Sequence, residues 1–333
     1  MLSLFSSIYG TITSLRNTLY DKGVLEVFDS RVRVISVGNI TTGGTGKTPL
    51  VALIAGVFAN RGEKVCILTR GYGRKDPKKR VLVSDGSKII SDAENAGDEP
   101  FELATKLLGK AIVIADADRI ASAKWAKRKF GVTVFLLDDG FQHRKLKRDL
   151  DIVCIDATDD FATAQMLPSG RLREHQNGLK RAGAIVITRS NLVSDLSELR
   201  AEIAKPAPTA PLFVSANKMT SIFSLNNAEM DKSQITGKKA FAFCALGNPD
   251  NFFEQLCQEK LSVVGTKAFR DHHIYSQSDI AEVDRLALEH SAEFLLTTAK
   301  DAVKLTKLSF EMPCYVVEVE MVLDDVDGFL SLF

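Results

Sequence analysis

The run Gly38-Asn39-Ile40-Thr41-Thr42-Gly43-Gly44-Thr45-Gly46-Lys47-Thr48 follows an apolar stretch and precedes a helical pattern. That is the setting of a phosphate loop. Its glycines let successive backbone N–H groups converge on phosphate oxygens at a helix N-terminus. Lys47 is then placed to reach the β- and γ-phosphates, and the Thr48 hydroxyl to ligate Mg²⁺. Thr41 stands where the usual pattern has glycine, so residues Thr41 to Thr48 are the expected nucleotide contacts with one departure. A second acidic element is needed for Mg²⁺, and Val132 to Gly140 supplies it: an apolar strand pattern ending in Asp138-Asp139-Gly140, with Asp138 in the metal-holding position.

Phosphoryl transfer also needs a group to orient or deprotonate the acceptor. Asp98 and Glu99 in Gly97-Asp98-Glu99-Pro100, Glu174 in Leu172-Arg173-Glu174, and His272 and His273 are the candidates, and spacing does not choose among them. Adjacent histidines without a third ligand at zinc spacing argue against a zinc site. Basic residues gather at Arg70, Arg74, Lys75, Lys78, Lys79 and Arg80, and again at Arg144, Lys145, Lys147 and Arg148, each after a strand pattern. Ligands of parallel α/β sheets collect there, so an anionic substrate or membrane surface is expected.

The elements that must position these groups alternate. Strands are expected over 32–37, 64–69, 111–115, 132–137, 151–155 and 184–188, with helices over 49–60, 93–108 and 120–129. Short continuous apolar strands between helices predict a mostly parallel sheet covered on both faces, a three-layer α/β/α P-loop domain. The proline cluster 205–211 reads as a linker to a smaller C-terminal α/β domain. The expected division is therefore an amphipathic helix 1–22, a P-loop domain 23–208 and a second domain 209–333. In the first segment Leu2, Phe5, Ile8, Ile12, Leu15 and Leu19 form one apolar stripe. Such a stripe either covers a domain or meets a membrane.

Composition sets the outer bounds. The 333 residues are 45% hydrophobic and 26% charged, values of a folded chain of about two domains. Lys plus Arg number 43 against 42 Asp plus Glu, a net of +1, so there is no general attraction to nucleic acid. Five scattered cysteines without Cys-x-x-Cys pairs suit buried thiols in a reducing compartment. No apolar run reaches the ~20 residues a spanning helix needs, and no obligate protein partner is indicated.

Taken in order, VISVGNITTGGTGKTP, RGYGRK, AGDEP, LDDGFQHRKLKRDLDI, LPSGRLRE, FRDHH and LLTTAKD, with RNTLYDKG near the start, resemble the tetraacyldisaccharide 4'-kinase family, the lipid A 4'-kinases of Gram-negative bacteria. A small polar residue at the position of Thr41 is like the family. The resemblance implies ATP- and Mg²⁺-dependent phosphorylation of the 4'-hydroxyl of a tetraacyl glucosamine disaccharide 1-phosphate, by a peripheral protein at the cytoplasmic face of the inner membrane. It implies Lys47 on the ATP phosphates, Thr48, Asp138 and Glu174 around Mg²⁺, Asp98 as general base tuned by His272, and Asp139 near the acceptor. Arg70 and Tyr72 fall on the acceptor side, and Arg119 and Arg173 on phosphate or substrate. An acceptor with four acyl chains stays in its bilayer, so the resemblance also turns the N-terminal stripe toward the membrane. The alternative is a deviant P-loop ATPase acting as a membrane-associated switch. It has a close loop sequence, but carries a signature lysine where this chain has Thr42 and has no need of DEP and DHH elements.

Overall fold

The computed structural model describes residues 2–225, 229–230, 235, 237–271 and 273–333. They divide into two compact units, one of residues 1–216 with 323–333, the other of residues 217–322. The chain leaves the first unit at Ala216 and returns at Leu323. The proline cluster is no linker. Ala207 is buried against Leu179, Ile185 and Ile203, so this stretch is a packed turn and the crossing comes eight residues after the expected boundary at 208/209. The return has its own cause. Phe329 is fully buried, edge-on to Phe213 at 5.2 Å and Phe333 at 5.3 Å, and Asp324 accepts the Val214 N–H at 2.9 Å.

In the first unit α1 (Leu2–Asp21) precedes β1 (Arg33–Gly38), α2 (Lys47–Asn60), β2 (Val65–Thr69), β3 (Val81–Asp85), α3 (Ala93–Ala96), α4 (Asp98–Lys106), β4 (Ala111–Ala115), α5 (Arg119–Phe130), β5 (Val134–Asp138), β6 (Leu150–Asp156), β7 (Ala184–Thr188), α6 (Ser197–Ala204) and the start of β8 (Leu212–Ser224). The sheet order is β8-β7-β6-β1-β5-β2-β4-β3, with every pair parallel except the β3–β4 edge. Central strands such as β2, β4, β5 and β7 are buried at every position, which is what a parallel sheet with helices on both faces requires. β1 lies between β5 and β6. The phosphate-loop strand thus adjoins the strand that ends in Asp138.

The second unit follows with β9 (Glu229–Met230), β10 (Lys239–Cys244), α7 (Pro249–Gln258), β11 (Ser262–Ala268), α8 (Gln277–Glu289), β12 (Phe294–Thr298), α9 (Ala299–Leu305) and β13 (Cys314–Leu323), and α10 (Val326–Leu330) closes the chain in the first unit. β11-β10-β12-β13 is a parallel sheet, and β9 pairs antiparallel with the far part of β8. It is the smaller α/β unit expected.

Two departures from the sequence reading bear on the site. The helix expected over 93–108 is two helices, broken at Gly97 with φ +94°. A Cβ on Gly97 would lie 2.7 Å from the Tyr72 carbonyl oxygen, so the AGDEP and RGYG segments touch backbone to backbone, and only glycine permits it. α1 is the other. Its inward face joins the rings of Tyr9 and Tyr20 to small and polar residues: Ser6 Oγ donates to the Met166 carbonyl at 3.0 Å, Gly10 faces His175, and Asn17 donates to Glu174 at 2.9 Å. The apolar stripe points outward, with Leu2 61%, Phe5 53%, Ile12 60% and Leu15 59% exposed. Core docking of that stripe is thereby excluded. Among the described residues no helix is long and apolar enough to cross a membrane.

Gly97→Ala is expected to cost about 1–3 kcal/mol of stability, read from urea denaturation, because a side chain would need both a positive φ and the space held by the Tyr72 carbonyl.

Candidate active site

The phosphate loop is fixed by partners far along the chain. Thr41 pairs with Leu172 in an isolated antiparallel bridge, an extended setting that suits a β-branched residue, which accounts for threonine where the usual motif has glycine. The Thr42 N–H donates to the Arg171 carbonyl at 2.7 Å. Thr45 is fully buried; its hydroxyl accepts from Asn39 Nδ2 at 2.9 Å and its carbonyl accepts from Thr188 at 3.1 Å. Gly43 and Gly46, at φ +106° and +76°, make the turns, and Gly46 caps α2. Gly43 and Gly44 form the exposed lip, while Lys47 and Thr48 open α2 beneath it.

Across the β1–β5 junction, Asp139 adopts φ +52°, a left-handed conformation uncommon outside glycine. The turn is wedged. A Cβ on Gly140 would lie 2.6 Å from Ser36 Oγ, and one on Gly38 would lie 2.6 Å from the Phe141 Cβ. The two aspartates therefore face different partners. Asp138 Oδ2 accepts from Thr69 at 2.9 Å. Asp139 accepts from Arg173 Nη1 at 2.7 Å on both oxygens and lies 3.7 Å from Lys47 Nζ, which also donates to the Gly43 carbonyl at 3.3 Å. Lys47, Asp138 and Asp139, the core of the expected site, are brought together.

Their electrostatics differ. Burial pushes Asp138 up to about 6, with the charges of Glu99 and Asp139 adding to the shift against the opposing pull of Lys47. Burial acts in the same direction on Asp139, but Lys47, Arg173 and Arg119 outweigh it and hold that carboxyl below its ordinary value. Glu99, left open by sequence as one of several acceptor-side acids, is thus the third carboxylate of this neighbourhood. It opens α4 next to Asp98, and the Gly97 contact sets that helix start against Tyr72. Asp98 is half-buried there, and Arg70 donates to the Tyr72 hydroxyl at 3.1 Å on the same loop. A buried carboxyl under repulsion from two others is a place where a divalent cation is stabilising, so Asp138 is a residue that could hold Mg²⁺, with the Thr48 hydroxyl as the ligand expected from the loop motif. Among the described residues no group of three or more His, Cys, Asp and Glu side chains makes a complete protein cage.

Two expected residues have further partners supplied by the fold. Glu174 is 2% exposed and accepts from Asn17 Nδ2 at 2.9 Å, Gln142 Nε2 at 2.9 Å and Arg181 Nη2 at 2.8 Å. Through these bonds it ties α1 to the loop after β5. Arg119, expected on phosphate or substrate, is buried and donates to the Asp138 carbonyl at 2.8 Å and the Asp139 carbonyl at 3.1 Å, holding the turn itself. His272 lies outside the described residues. Much of the expected basic surface is also paired: Arg80 with Asp116, Arg144 with Asp21, Lys147 with Asp29 and Arg148 with Asp151. Except for Arg148 and Asp151, three positions apart, these partners are distant in sequence and are brought in by the fold.

Glu174→Ala is expected to lower stability by about 3–5 kcal/mol, because Arg181 is left buried and unpaired. Asp138→Asn relieves like-charge repulsion and is expected to leave the melting temperature unchanged or raised while Mg²⁺-dependent activity is lost. Thermal melts and activity assays on the two variants check this contrast.

A family model described as Tetraacyldisaccharide-1-P 4'-kinase matches residues 1–332. The chain is 39% identical to a tetraacyldisaccharide 4'-kinase of Desulfotalea psychrophila, over 93% of this chain and 89% of that one. It is 35% identical to the protein of that name in Halothermothrix orenii, over 96% and 88%. Among solved structures, the "apo" form of LpxK from Aquifex aeolicus in complex with ATP superposes with a TM-score of 0.78 at 33% identity, covering 98% of this chain and 96% of that one. With a phosphate loop, an aspartate-bearing neighbouring strand and matches of this length, the chain belongs to the tetraacyldisaccharide-1-P 4'-kinase family.

Proposed function

We propose that the protein transfers the γ-phosphoryl group of ATP to the 4'-hydroxyl of a tetraacyl disaccharide 1-phosphate, using the pocket at the ends of β1 and β5. The observation that carries this reading is the 3.7 Å approach of Lys47 Nζ to Asp139, beside a buried Asp138, in a chain of this family. The family match leaves the switch-ATPase alternative without an observation in its favour.

The loop amides of Gly43 to Thr48 cradle the phosphates, and Lys47 exchanges its contacts with Gly43 and Asp139 for the β- and γ-oxygens. Thr48 and Asp138 are the residues that would hold Mg²⁺; when bound, the ion neutralises charge on the phosphate oxygens. Asp139, kept ionised by Lys47 and Arg173, orients the acceptor side. Asp98 accepts the proton of the 4'-hydroxyl. A carboxylate alone holds that proton weakly, so a histidine that shares it, His272 by the family pattern, supports the step. Arg70 and Tyr72, paired on the loop that packs on Gly97, contact the acceptor. Arg173 contributes through Asp139.

The outward stripe of α1 supports a seat on the bilayer. Each apolar side chain moved from water into lipid contributes about 1.5–3 kcal/mol, and a substrate anchored by four acyl chains makes such contact necessary. The membrane is then the inner membrane at its cytoplasmic face, where ATP is available.

Purified protein in detergent with ATP, Mg²⁺ and the disaccharide 1-phosphate is expected to form the bisphosphate. Lys47→Ala should lower kcat at least ~100-fold with the fold retained. Asp98→Ala and His272→Ala should each depress kcat more than ATP affinity, and the double variant should be little worse than Asp98→Ala alone; strict additivity would remove the pair from the mechanism. Serine at Phe5, Ile8, Ile12 and Leu15 together should cut vesicle partitioning by more than ~100-fold while sparing turnover of a short-chain acceptor.

A further inference from the structure

The phosphate loop lacks packed support on one side. Behind its first half lies a cavity of about 290 Å³, whose walls include Ile40, Thr41, Ile155, Phe161, Asp159 and Arg171. Such a half-open cleft offers few packed atoms to resist displacement, so directional bonds help to set the loop's shape on that side. Beside the main-chain bonds to Arg171 and Arg173, one side chain supplies two of them. Arg171 Nε and Nη2 both donate to the Thr42 carbonyl, at 3.1 and 2.7 Å, and its Nη1 donates to Asp159 Oδ1 at 2.6 Å. Its own carbonyl accepts the Thr42 N–H at 2.7 Å, so residue 42 is gripped from both of its backbone groups. The guanidinium also fills the space beside Gly43, where φ is +106° and an added Cβ would collide with Nη2.

We propose that Arg171, oriented by Asp159, is a positioning residue that holds the Thr42–Gly43 turn in its phosphate-binding shape. Its side chain acts on the nucleotide through the loop backbone. The inference rests on the reading of this loop as the ATP cradle. It adds a residue that the motif itself does not contain, supplied by a segment some 130 positions away in sequence. The bidentate grip needs a planar fork, so lysine is no substitute.

The test uses the full chain and compares wild type with Arg171→Ala, Arg171→Lys and Asp159→Asn. Direct ATP binding and steady-state kinetics are measured with the lipid acceptor in detergent. Both Arg171 variants are expected to weaken ATP binding and raise KM for ATP by about 10- to 100-fold, with kcat and the acceptor KM within about threefold of wild type. Asp159→Asn, which keeps a hydrogen-bond acceptor, should produce a smaller shift in the same direction. Millimolar guanidinium should restore ATP affinity to Arg171→Ala and not to Lys47→Ala. Melting temperatures identify any variant that has lost its fold; if Arg171→Ala has, Arg171→Lys decides. Unchanged ATP affinity in a folded Arg171 variant overturns the proposal, as does a fall in kcat with KM unchanged. Failure of wild type to bind ATP would instead defeat the functional reading beneath it.

Discussion

The structure depends on a small set of buried charges set at the ends of two adjacent parallel strands. Lys47, Asp138, Asp139, Arg119 and Arg173 occupy one neighbourhood, where unpaired charge is costly, and each has a stated partner. Lys47, Arg173 and Arg119 together hold one carboxyl, Asp139, below its ordinary value. The other, Asp138, is raised by burial and by the charges of Glu99 and Asp139 against the pull of Lys47. Such an imbalance would be a defect in a purely structural cluster. Beside a phosphate loop it supports the proposal that Asp138 helps to hold a metal-bound triphosphate.

Keeping that arrangement requires the backbone to come very close to itself, and glycine is used where it does. Gly38 and Gly140 let the turn after Asp138 press onto the end of β1, and Gly97 lets the start of α4 press onto the Tyr72 carbonyl. The second contact joins the Arg70–Tyr72 loop to the helix that begins with Asp98 and Glu99. Asp98 and Arg70 are thereby carried by segments in direct backbone contact. The strained φ of Asp139 belongs to the same economy, since a left-handed residue persists only where its surroundings hold it.

α1 shows the same division of labour in its two faces. A helix that covers a core puts its large apolar residues inward, whereas here Ser6, Gly10 and Asn17 face the protein and Phe5, Ile8 and Ile12 face out. The hydrogen bonds of the inner face fix the helix without consuming its apolar surface. Through Asn17 and Glu174 that attachment reaches Gln142, which also donates to the Asn39 carbonyl at the base of the phosphate loop.

Sequence alone determined what is local or periodic. The phosphate loop between strand and helix, the apolar strand ending in Asp138, the parallel architecture and the stripe of α1 are all written in neighbouring residues, because backbone conformation and period are short-range properties. The edge strand β3, the break at Gly97 and the packed turn at 205–211 were not legible, since a glycine's φ and a proline's packing depend on what lies against them. Only tertiary structure decided the partners. It turned the stripe of α1 outward, gave Glu174 to Asn17, Gln142 and Arg181, spent Arg119 on two carbonyls and set Arg171 on Thr42. Each of those is a directional bond between groups distant in sequence, and a buried polar group takes whichever partner the packed strands carry within its reach.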